Sequence, residues 1–178
     1  SHVVSDFSPG LPVHVMNDPA RNFNDGGMSE LLASKILDAT TSRTIRVAWF
    51  GVGDNPNFKV GLSDLAHFGS ALSALAGDGW FPILRILTNA RAMTADNLAK
   101  LLRLPIPYSV NEWTEEEEQS LLAESLAAFI PVNCQNFSVA KSLNRAVTAM
   151  NAGCQIVSSG YPLYDKLAPF IYRSAAEF

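Results

Sequence analysis

Cysteine, histidine and massed positive charge are all scarce in this 178-residue sequence, and each scarcity removes a class of explanation. Its two cysteines, Cys134 and Cys154, are too few for a disulfide framework and read as small buried hydrophobes. With no export signal beside them they point to a reducing compartment, so a cytoplasmic protein is the expectation. The three histidines are scattered, nothing has metal-ligand spacing, and no metal is expected. Thirteen Lys and Arg against 17 Asp and Glu give a formal net charge of -4, with the cations dispersed along the chain. A surface that tracks phosphates needs its cations on one side, so nucleic acid is not an expected partner. No apolar run approaches the ~18 residues of a membrane span. Residues 1–23 also lack the basic start and apolar centre of a signal peptide, so no transmembrane segment is expected.

What is present is ordinary globular material, 48% hydrophobic and 17% charged, enough for one domain with a real core. Residues 1–43 read as a leader and linker, with a short strand in "LPVHVMNDP" (11–19) and an amphipathic helix in "MSELLASKILDAT" (28–40), for which Ser29 would be the N-cap. At 44–52, "TIRVAWFGV" is almost continuously apolar and ends in Gly, the pattern of a strand buried on both faces. Helices and strands then alternate: "LSDLAHFGSALSALA", "FPILRILT", "TADNLAKLLRL", "IPYSV", "TEEEEQSLLAES", "AAFIPV", "AKSLNRAVTAMNA", "QIVSS" and a closing "YPLYDKLAPFIY". Such alternation builds βαβ units. Residues 44–178 are therefore expected to form an α/β Rossmann-like domain, a doubly wound parallel sheet in three α/β/α layers.

In that architecture ligands sit outside the carboxyl ends of the strands, so loops that follow strands carry the chemistry. The first of them, "GVGDNPNFKVG", lacks the third glycine of the dinucleotide fingerprint and does not fit a phosphate loop. Its one cation, Lys59, either neutralises a ligand phosphate or is a surface lysine. The run Glu115 to Glu118 lies where negative charge suits a helix start and reads as solvated. Residues 140–159, "AKSLNRAVTAMNAGCQIVSS", say more. On one helix, Lys141, Asn144, Arg145 and Thr148 would share a face, with Leu143, Val147 and Met150 on another. Two cations near a helix N-terminus oppose the macrodipole and repel each other, a conflict that a bound anion removes. The competing reading is an exposed amphipathic helix.

The segment "AFIPVN…AKSLNRAVTAMNAGCQIVSSGYPLY", with "VAWFG" opening the domain and "VHVMNDP" before it, resembles the C-terminal, donor-binding half of bacterial glycosyltransferases built from two Rossmann domains (the GT-B type). The resemblance spans residues 12–172 and is strongest over 127–164. It implies a nucleotide sugar as ligand and transfer to a glycan or other acceptor hydroxyl, as in surface polysaccharide biosynthesis. By position, Lys141 and Arg145 would then pair with the diphosphate, and Ser142 and Asn144 would bond phosphate or sugar. Lys59 would match the basic residue of the first loop. Many relatives carry two glutamates eight positions apart on this helix; here those positions are Ala140 and Thr148. Thr148 can bond a ribose, but without charge.

The resemblance also implies a preceding partner domain of roughly 150 residues. The chain is accordingly expected to be an excised or truncated donor-binding domain, inactive alone, whose open face a second copy could cover as a homodimer. A degenerate, non-catalytic interaction module is the alternative that Ala140 and Thr148 favour.

Overall fold

The computed structural model describes residues 27–139 and 141–178; the strand expected at 11–19, and Ala140, lie outside them. Six strands make one sheet: β1 (Thr44–Gly51), β2 (Phe81–Thr88), β3 (Tyr108–Glu112), β4 (Ala127–Phe129), β5 (Gln155–Val157) and β6 (Ile171–Tyr172). Every neighbouring pair is parallel and the order is β3-β2-β1-β4-β5-β6. This is the Rossmann-like doubly wound arrangement, whose strand order reverses between β1 and β4.

The helices are α1 (Met28–Ser42), α2 (Leu62–Phe68), α3 (Ala95–Leu101), α4 (Glu115–Glu124), the single turn α5 (Asn136–Val139) and α6 (Asn144–Asn151). They divide between two faces, and β1 shows why its run is apolar throughout. Val47 and Trp49 pack into one core with Leu62, Leu65 and Leu101, whereas Ala48 and Phe50 pack into the other with Leu121, Leu122, Ala146 and Ala149. A strand covered on both sides has no solvent face for polar residues.

Helix α1 is fastened to the second face by a buried cation. The Lys35 ammonium donates to the carbonyls of Leu122, Ser125 and Ala152 at 2.7, 2.9 and 2.6 Å. The first two close the C-terminal end of α4 and the third caps α6, so one positive charge serves two helix C-termini. Burial lowers the Lys35 pKa, with the neighbouring Cys154 acting in the opposite direction.

Several expected boundaries move. The N-cap of α1 is Gly27, which places Ser29 inside the first turn. Strand β3 starts at Tyr108, because Pro107 has no N–H to give and only its carbonyl reaches Leu84, at 2.9 Å. The helix expected over 62–76 turns into a tighter 3₁₀ segment, Gly69–Leu75. Cys154 is buried as expected, but Cys134 is exposed. Among the described residues, no helix is long and apolar enough to cross a membrane.

Candidate functional site

At the reversal point between β1 and β4, the loops leaving the two strands part around a cleft of about 380 Å³. The β1 loop is shaped by close backbone approach. At Gly61 φ is +73°, and a Cβ there would lie 2.5 Å from the Val52 carbonyl oxygen, so only glycine fits the turn into α2. Gly53 is needed for a different reason, since a Cβ there would lie 2.2 Å from Thr88 Oγ1. From β2, Asn89 pins the same loop: its Oδ1 accepts from Gly53 N–H at 2.9 Å and its Nδ2 donates to Asp54 at 3.1 Å. The Asn89 amide is the chief reason the Asp54 carboxyl is held below the usual carboxylate range, and Arg91 adds an ion pair at 3.0 Å. From the β4 side, the amides of Asn133 and Gln135 donate to the Lys59 carbonyl at 2.6 and 2.8 Å. Lys59 therefore joins the two loops through its backbone, while its side chain is exposed and lines no part of the cleft.

Four of the expected residues do converge: Lys141, Ser142, Asn144 and Arg145 all line the cleft. They do so without sharing one helix. Helix α6 begins at Asn144, and the Lys141 N–H instead bonds the Ser138 carbonyl at 3.2 Å, closing the preceding turn. Lys141 and Ser142 thus approach from the segment before α6, and Asn144 and Arg145 from its first turn. The start of α6 has no side-chain cap hydrogen bond and no acidic residue, and Lys141 and Arg145 both line the space beside it.

Beneath them lies a buried carboxylate that motif reading passed over. Asp64 is 1% exposed, accepts from the Gly61 N–H at 3.1 Å through Oδ2, and stands 3.8 Å from the Lys141 ammonium. Its Oδ1 has no hydrogen-bond partner of good geometry, although the nearby Asn133 N–H favours its charge. Burial raises the Asp64 pKa, against the attraction of Lys141. Burial also lowers the Lys141 pKa, with Arg145 repelling in the same direction and Asp64 opposing. The Arg145 guanidinium donates to the Phe50 carbonyl at 3.2 Å and sits 6.0 Å from the Trp49 ring centre. It occupies the room left by Gly51, where a Cβ would come within 3.1 Å of it. Tyr164, 1% exposed, closes the cleft from the C-terminal segment, its hydroxyl pKa raised by burial and drawn down by Arg145.

A second lobe, of about 390 Å³, shares Gly51, Val52, Asn144 and Arg145 with the first. Thr148, one turn further along α6, faces this lobe and not the first. Opposite it are Trp113, just past β3, and Glu118, from the acidic first turn of α4. Glu118 is not simply solvated, since its Oε2 accepts from the Trp113 indole N–H at 2.5 Å.

No family model, curated protein or solved structure matches this chain. The chemistry of the site is therefore read from its own groups. A two-lobed cleft with two cations and a helix start in one lobe, and an indole in the other, suits a ligand with an anionic part and a flat part. Among the described residues, no group of three or more His, Cys, Asp or Glu side chains is placed to hold a metal ion.

Asp64, Tyr164 and Trp113 carry weak sequence signals. Asp64 sits three residues past the glycine that opens α2, and Trp113 directly follows a strand. Neither position distinguishes a ligand contact from a helix cap or a surface aromatic.

Proposed function

We propose that this chain is the donor-binding domain of a glycosyltransferase of the two-Rossmann-domain type, and that its first lobe holds the diphosphate of a nucleotide sugar. The observation that carries this reading is the convergence of Lys141 and Arg145 on one cleft at the strand reversal, beside the uncapped start of α6. Binding an anion there offsets the repulsion between the two cations and suits the positive end of the α6 dipole. In the transfer reaction, an acceptor hydroxyl supplied with the partner domain attacks the anomeric carbon. The cleft then stabilises the departing diphosphate, whose charge grows as the glycosidic bond breaks. Ser142 and Asn144 would bond phosphate or sugar oxygens, and Thr148 the ribose.

A second reading, a non-catalytic interaction module, draws support from a different observation. Lys141 already has an internal partner in Asp64, and Val52, Phe58 and Phe137 expose apolar surface around the cleft. Thermal-shift and calorimetric titration with nucleoside diphosphates and their sugars separates the two, because a ligand that binds only the folded state raises the melting temperature. Silence across the panel would leave the interaction module.

A further inference from the structure

The second lobe is built unlike the first, and Trp113 is its most informative residue. The indole is 44% exposed, an unusual place for so large an apolar ring, yet it is held at two points. Its backbone N–H bonds the Thr88 carbonyl at 2.7 Å, and its ring N–H bonds Glu118 Oε2 at 2.5 Å. An exposed aromatic side chain fixed in this way is a preorganised stacking surface. Glu118 is oriented by the same contact, and its Oε1 has no hydrogen-bond partner among the described residues. Thr148 also lines this lobe, and Arg145, which lines both, connects this space to the diphosphate lobe.

We infer that the second lobe is a nucleobase subsite selective for guanine, with Trp113 as the stacking platform and Glu118 as the reader of the base edge. This rests on the reading of the first lobe as the diphosphate site. The selectivity follows from donor geometry. A carboxylate offers only acceptors, and guanine places two donors, N1–H and the exocyclic amine, side by side on one edge. Uracil has a single N–H between two carbonyls that the carboxylate repels. In cytosine and adenine the amino group is adjacent to a ring nitrogen that is itself an acceptor. The donor substrate is accordingly a guanosine diphosphate sugar, its ribose lying along the α6 face that carries Arg145 and Thr148.

The test is calorimetric titration of the full chain with GDP, UDP, CDP, ADP and inorganic pyrophosphate, with folding of each variant checked by circular dichroism. GDP should bind tighter than the other three nucleotides by roughly tenfold or more, the usual worth of a two-point base contact. Glu118→Gln should remove that preference and leave pyrophosphate binding unchanged. Trp113→Ala should weaken all four nucleotides by about tenfold through lost stacking, again sparing pyrophosphate. Equal affinity for the four nucleotides, or a Glu118→Gln variant that still prefers GDP, overturns the guanine subsite while the diphosphate reading stands. If GDP is preferred through Glu118 but Lys141→Ala leaves pyrophosphate binding intact, the diphosphate reading fails alone. A folded protein that binds neither pyrophosphate nor any nucleotide overturns both.

Discussion

The Lys141 ammonium lies 3.8 Å from a carboxylate oxygen of Asp64, and the two differ sharply in exposure, 20% for the lysine side chain and 2% for the aspartate. The acid is committed to the interior, while the base reaches from it into the cleft. Asp64 therefore sets how strongly Lys141 attracts an incoming anion, although it lines no part of the cleft itself. Its carboxylate competes with any bound phosphate for the same charge.

A pH signature follows from that burial. The Asp64 pKa is raised in the folded protein, so the folded state keeps this proton to higher pH than the unfolded chain does. Its contribution to stability is fully present below the ordinary carboxylate pKa and is lost as pH rises through the raised value. Asp64→Asn keeps an acceptor for the Gly61 N–H and has no such titration. As pH rises above the ordinary carboxylate pKa, its melting temperature should gain on that of the parent protein. Parallel melting curves across that range would contradict the assignment. At neutral pH the same variant should bind pyrophosphate more tightly, since Lys141 loses its internal partner.

Removing either cation should weaken nucleoside diphosphate binding. Lys141→Ala and Arg145→Ala are each expected to cost about 1.5–3 kcal/mol of affinity, the range for a hydrogen bond to a charged group. The loss should shrink as salt is raised for Lys141, the more hydrated point charge. Calorimetry with GDP and UDP reads both effects, and wild-type affinity in both variants would rule out a diphosphate in the first lobe.

Lys35→Met tests the fastening of α1. Exchanging a buried ion for an apolar side chain is often harmless, but here it strands three carbonyls that have no other strong donor. A loss of about 3 kcal/mol is expected, visible as a lower midpoint in urea. A variant as stable as the parent would mean that water replaces the ammonium at those carbonyls.

The two thiols should behave as different species. Cys134 is exposed, whereas Cys154 is buried and its thiol pKa is raised by burial, against the pull of Lys35. Only the thiolate attacks a disulfide reagent, so Cys154 should stay unlabelled until the protein unfolds. Cys134→Ser should abolish the fast labelling phase, and rapid reaction of that variant would contradict the burial of Cys154.

The succession of strands and helices from Thr44 onward is legible in the sequence because hydrophobic period is a local property. The doubly apolar run of β1 and the polar residues after β4 both announce themselves within a few positions. The same locality hides a turn in the chain before α6. A helical pattern over 140–152 is consistent with one continuous helix, yet the backbone closes a turn at Lys141 and starts α6 at Asn144. It remained for the fold to bring Asp64 under Lys141 and to set Arg145 in the space beside Gly51. Lys35 likewise finds the ends of two helices distant from it in the chain. Those contacts join residues far apart in sequence or on different elements, and their energies come from burial and charge proximity, which no local period encodes. The sequence by itself determined a parallel α/β domain and the end of the sheet at which to look. Tertiary packing decided which side chains share the cleft, because desolvation and charge pairing arise only when the layers close.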